Sequence, residues 1–295
     1  MNILNVNGPA MASGGSGCFD RQAGLTLLEV LISIALGIFF LLSAVQYLVV
    51  GQQSNSVQDA QSRIQENARF ATDFLEHSVR HAGYDNALGA ERASVFFYVG
   101  NCGNAALGGP AGNCSTDAIG NNRGDRMASV FTADDNFNVD CAGAVAPSDT
   151  LVANVFWVAE VNGIRSLYCQ GWDVRANTAL AAAQPLVDGI DSMQVEYGLS
   201  DTNLPTNDNN YTGVVVQYLS AGEFASQLEW NFVRSVRVAL LVSSGLDTSD
   251  AAMANNASFQ EANTQYQLLD ATYQPGDGEV RRVFTLTMPI NNSFQ

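Results

Sequence analysis

The hydrophobic pattern changes character at Gly24, at Val50 and at Gly83. Residues 1–24 are polar and Gly/Ser-rich, with no apolar run. Residues 25–50, LTLLEVLISIALGIFFLLSAVQYLVV, are almost wholly apolar, and no charge occurs from Val30 to Val50. That run matches the ~20 residues a helix needs to cross a bilayer. Beyond it, Val57, Ala60, Ile64, Ala68, Ala71, Phe74, Leu75 and Val79 recur mostly at spacings of three and four, with polar residues between them. No proline falls between Pro9 and Pro110. The pattern predicts one helix from Leu25 to about Ala82, stopped at Gly83, since glycine is a frequent C-terminal breaker.

After Gly83 the rhythm shortens. Apolar runs alternate with Gly/Asn/Asp-rich loops, giving strand candidates at 94–99, 127–132, 151–159, 164–170, 190–198, 213–219, 235–243 and 280–288. Val236, Val238, Leu240 and Val242 share one parity, as do Phe284, Leu286 and Met288, so each run can bury one sheet face. Asn162-Gly163 between two such runs is a hairpin signal. Residues 221–233 read as a short helix, and 101–125 and 245–278 as variable loops. The expected fold is α+β, a long N-terminal helix packed on an antiparallel sheet with a second small sheet. The expected organisation is a leader (1–24), an apolar helix (25–50), the amphipathic half of the same helix (51–83) and a β-rich head (84–295).

An ordinary secretory signal is cut after its apolar segment. Here the one processing-like residue, Gly24, precedes it, so the apolar helix is expected to be retained. A lipoprotein reading of Gly17-Cys18 fails for want of a preceding hydrophobic segment. Glu29 breaks the apolar run. A carboxylate costs roughly 2.5–3.5 kcal/mol at the centre of a membrane helix and less near an end, where it can reach the headgroups. Cleavage after Gly24 would instead place a positive amine at Leu25, four residues before it.

Charge narrows the partners. The formal net charge is -16, and all thirteen basic residues are arginines. An acidic surface of this kind repels phosphate backbones, which disfavours nucleic-acid binding. Of the five cysteines, Cys18 lies in the leader, leaving Cys102, Cys114, Cys141 and Cys169. An even number suits two disulfides in an oxidising compartment, although four buried thiols is the alternative. Local loops favour Cys102–Cys114 and Cys141–Cys169. No C-x-x-C pair suggests zinc.

Catalytic chemistry is hard to find. His77 and His81, the only histidines, are spaced to share a metal, but no H-E-x-x-H signature accompanies them and solvated helix residues are the better reading. Asp134-Asp135-Asn136, Asp140 and Asp208-Asn209-Asn210 are oxygen-rich, yet none combines the glycine and glutamate of an EF-hand, and such loops are common without metal. Trp157, Trp172, Trp230 and Phe96-Phe97-Tyr98 read as core. No nucleophile elbow or phosphate-cradling glycine loop appears, so neither an enzyme nor a cofactor or metal is expected.

Gly24-Leu25-Thr26-Leu27-Leu28-Glu29, followed by its apolar run, resembles the processing site of type IV prepilins, although the leader has only Arg21 beside Asp20 where that family usually carries several basic residues. Arg63-x-Gln65-Glu66-Asn67-x-Arg69-Phe70-Ala71, with Arg80, Ala82, Gly83 and Tyr84, resembles PilW-type minor pilins and their relatives, the J-type minor pseudopilins of type II secretion. Similar matches are Gly189–Gly198, Trp230 with Val236–Val242, and Arg282-Val283-Phe284. The resemblance implies a structural subunit, cut between Gly24 and Leu25 by a prepilin peptidase, methylated on Leu25, and assembled through Glu29. It implies an inner-membrane anchor with a periplasmic head, and later a place at or near the pilus tip. The implied partners are other minor pilins, the major pilin and a large tip adhesin. A pseudopilin of a type II secretion system is the alternative, and a membrane-tethered periplasmic enzyme a more distant one.

Overall fold

The computed structural model describes residues 24, 26–84, 97, 100, 102, 114–117, 124–200, 214–225, 227–244, 264–275 and 279–290. The chain divides into two units, Met1–Gln52 and Gln53–Gln295. One helix, α1 (Leu27–Arg80, 54 residues), contributes to both. It begins at Leu27 rather than at Leu25 because Thr26 is its N-cap. The Thr26 hydroxyl accepts the Glu29 amide at 3.3 Å, and the Thr26 carbonyl accepts that of Val30 at 3.2 Å. In the first unit every described apolar side chain of α1 is exposed. An 18-residue stretch of the helix reaches a mean hydropathy of 2.5, long and apolar enough to cross a membrane. Residues 1–23 and Leu25 lie outside the described residues, and with them most of the expected leader (1–24).

In the second unit α1 buries Ala60, Ile64, Ala68, Ala71, Leu75 and Val79. Phe74, expected on this stripe, is 41% exposed, because one residue's rotation turns it from the face that Leu75 occupies. The helix ends at Arg80 and turns through Gly83, whose φ of 75° is a left-handed conformation that glycine adopts freely. Its last turns are tied to the head by a buried Ser78–Ser129 hydrogen bond, and Asn154 Nδ2 donates to the same Ser78 hydroxyl at 3.3 Å.

Eleven strands follow among the described residues. A five-stranded antiparallel sheet joins β1 (Met127–Thr132), β2 (Leu151–Val161) and β3 (Ile164–Asp173), with β4 (Thr178–Ala179) and β5 (Gln184–Asp188) both on β3. The four-stranded sheet has the order β11 (Arg281–Pro289), β8 (Val233–Ser243), β6 (Ile190–Ser200), β7 (Val215–Leu219). A small hairpin pairs β9 (Tyr266–Leu268) with β10 (Ala271–Tyr273). The main core is shared by α1 and the two larger sheets. Asn162-Gly163 makes the β2–β3 hairpin with both φ angles positive, as a tight two-residue turn requires. Trp157, Trp172, Trp230 and Phe97 are buried.

Several expectations are corrected. Residues 245–278 are not all loop, since β9 and β10 lie there, and Tyr266 and Leu268 pack against Ala239 and Leu241. Strand β8 is therefore buried on both faces, although its sequence alternation predicted a single buried face. The short helix expected over 221–233 is a turn at 221–223 and a 3-10 segment, Gln227–Phe232, fixed by buried Trp230. So short a segment gains too little to nucleate an α-helix. Of the strand expected at 94–99 only Phe97 is described, bridged to Ser129.

Candidate functional site

The N-terminal end of α1 combines an exposed glycine, a cap and an acid. Gly24 is exposed, its φ lies outside the left-handed region, and a Cβ added there would meet nothing within 4 Å. Neither conformation nor packing requires glycine at this point. Glu29 is the third residue of the helix, in the first turn and exposed. There its charge opposes the positive end of the helix dipole, a contribution of about 0.3–1 kcal/mol. The Thr-x-x-Glu spacing of Thr26 and Glu29 is a capping-box pattern.

A second polar site forms where the chain crosses between sheets. Gly189 links β5 to β6, its N–H donating to the Arg165 carbonyl (2.7 Å) and its carbonyl accepting from Ser243 (2.8 Å). Its φ is 75°, and a Cβ would stand 2.9 Å from the Ser243 carbonyl and 3.0 Å from the Asn67 side chain on α1. A cleft of about 700 Å³ opens here, walled by Arg63, Glu66 and Asn67 of α1, by Arg165 and by Glu279. Behind these residues two acids and two arginines interlock. Asp191 Oδ2 accepts from Arg165 at 3.0 Å and from fully buried Arg281, while Glu279 Oε2 accepts from the same two arginines at 2.8 and 3.2 Å. Burial opposes the Arg165 charge, but Asp191 and Glu279 outweigh it and hold its pKa above the usual arginine value. Among the described residues no histidine or cysteine lines the cleft, whose walls carry charged, amide and hydroxyl groups, Ser243 and Ser244 among them, suited to holding polar groups.

Residues 155–292 match the family model described as type IV pilus-assembly protein W, PilW. This stretch is a PilW-family region. The family is a pilus-assembly component, and the chain is accordingly related to type IV pilus assembly. Comparison with curated proteins and with solved structures gives no significant match. The PilW region runs from within β2 to just past β11, and so contains Arg165, Gly189, Asp191, Glu279 and Arg281, whereas α1 precedes it. The sequence segments that resemble PilW proteins, Arg63–Ala71 and Gly189–Gly198, meet at the cleft through Asn67 and Gly189.

The remaining predicted residues lie elsewhere. Cys102 is bonded to Cys114, and Cys141 to Cys169, with Cα separations of 5.1 and 6.1 Å. Only Cys169 falls in the PilW region. Two acids of the described loops each accept backbone amides from their own loop through one oxygen. Asp134 Oδ1 accepts from the amides of Asn136 and Phe137, and Asp140 Oδ1 from those of Ala142 and Ala144. Asp208, Asn209 and Asn210 lie outside the described residues. Sequence reasoning missed Asp191 and Arg281, because nothing in a linear pattern marks a charged residue as buried.

Proposed function

We propose that this chain is a PilW-like minor pilin, held in the inner membrane by the apolar half of α1 and assembled with other pilins near the pilus tip. The observation that carries this reading is the division of labour along α1. Its first part exposes an uncharged apolar surface from Val30 to Val50, and its later part buries one stripe in the domain that bears the PilW region. The expected processing is cleavage between Gly24 and Leu25 by a prepilin peptidase, with methylation of Leu25. A glycine that neither packing nor backbone geometry demands is what a peptidase recognition residue would be.

The proposed role of Glu29 follows from electrostatics. Cleavage would leave a cation at Leu25, just ahead of the positive end of α1, which is unfavourable in an apolar medium. A carboxylate in the first turn offsets it, and in an assembly the acid of one subunit can meet the amine of the next, setting register as subunits add. The major pilin and a large tip adhesin complete the proposed partners.

Glu29→Gln and Glu29→Leu test the assignment. Each removes at most about 1 kcal/mol of dipole interaction, so insertion, leader removal and head folding should persist. Co-purification with partner pilins should fall several-fold, with processing checked in parallel. Variants that are processed and still assemble like the wild type would leave Glu29 a tolerated acid and refute the mechanism.

A further inference from the structure

We propose that His77 and His81 jointly bind a divalent transition-metal ion of the imidazole-preferring class, Cu²⁺ foremost and then Zn²⁺ or Ni²⁺, at the end of α1. The two residues are four apart on the helix and therefore lie one above the other on the same face. Their ring centroids are 4.4 Å apart. The His81 ring lies nearly parallel to Phe137, with centroids 4.5 Å apart and 16° between planes. His77 and Phe137 are 6.3 Å apart, so the three separations make close to a right angle at His81. Phe137 thus stacks on a face of the His81 ring, and His77 lies to the side of that stack. Phe137 is itself fixed, by Phe131 at 4.7 Å and by its amide, which donates to Asp134 at 2.6 Å.

The hydrogen bonding sets which nitrogen is available. His81 Nδ1 lies 2.7 Å from the backbone carbonyl of His77. A carbonyl oxygen only accepts, so Nδ1 carries the proton, and Nε2 of the neutral ring keeps a lone pair. This is the supporting bond that metal-ligating histidines typically make. The His77 ring is kept below its ordinary pKa by partial burial, then by His81 and by Arg80.

His77 is exposed, as expected of a solvated helix residue, and the structure adds to that reading. It brings the two histidines ring to ring, sets one tautomer and braces one ring on an aromatic platform. Among the described residues no third histidine, cysteine or acid joins them as a ready-made cage. The remaining positions fall to water or to a group from a neighbouring molecule. Two imidazoles with open positions favour Cu²⁺ over Zn²⁺ and give no preference to the oxygen-seeking Ca²⁺ or Mg²⁺.

The test uses the full chain in detergent micelles, stripped with a chelator and titrated with CuCl₂ by calorimetry. Electron paramagnetic resonance is recorded at one equivalent of copper. The wild type should take one Cu²⁺ whose spectrum carries coupling to two imidazole nitrogens. His77→Gln and His81→Gln should each weaken binding at least tenfold and leave coupling to one imidazole. Undiminished affinity in the double variant, or a wild-type copper spectrum without imidazole coupling, would overturn the proposal. The spectrum of the wild type decides even if a variant folds poorly.

Discussion

Arg281 and Asp191 are both fully buried, and their pairing decides how much each substitution costs. Removing one member of a buried ion pair leaves an uncompensated charge, an effect of about 3–5 kcal/mol. Asp191→Ala strands two arginines, Arg165 and Arg281, although Glu279 still accepts from both. Urea unfolding of the detergent-solubilised chain should show a loss toward the lower end of that range, and a change below about 1 kcal/mol would mean that Glu279 alone suffices. Thr26 by contrast carries a local signature, although periodicity alone runs the helix back to Leu25. Its spacing to Glu29 is a capping pattern within four letters, whereas the Asp191 network joins residues from β3, β6, β11 and the segment before β11. Local chemistry is readable from sequence because its partners are near in the chain, and long-range ion pairs are not.

Long elements followed from periodicity, and short ones did not. The strands predicted near β1, β2, β3, β6, β7, β8 and β11 exist within a few residues, because burial on one or both faces imposes apolar runs. Strand β5 escaped notice since it is an edge strand of mixed polarity containing Pro185, and β4 has two exposed residues. The β9–β10 hairpin hid in a segment rich in Asn, Gln and Asp, and only its packing on Ala239 and Leu241 gives it a purpose. Leu268 is 1% exposed at that contact. Leu268→Ala should therefore lower stability by about 2–5 kcal/mol, read by thermal or urea unfolding, while Gln267→Ala, an exposed neighbour, should change little. Equal small effects would mean that the hairpin is not part of the cooperative core. The Cys141–Cys169 bond spans a separation of 28 residues and ties the loop after β1 to β3. In the chain-entropy model a loop of this length is worth roughly 3–4 kcal/mol. Replacing both cysteines with serine should cost about that much, and a loss under 1 kcal/mol would argue that the bond adds little.

At the scale of the whole chain, function rests on the order in which surfaces occur. A polar segment precedes the cap at Thr26, an uncharged apolar stretch follows Glu29, and an amphipathic stretch carries the helix into the domain with the PilW region. That order was legible because membrane insertion, helix packing and sheet formation each leave their own hydrophobic period. The cleft beside Gly189 was not, since it needs three separated segments to meet. The apolar helix half serves as an anchor and assembly element only if it survives maturation. The mature N-terminus, determined by mass spectrometry on chain extracted from membranes, measures this directly. The account predicts that it begins at Leu25, carries a methyl group and retains all of α1. A mature chain beginning beyond Val50 would make the apolar run a removable signal sequence and contradict the pilin assignment.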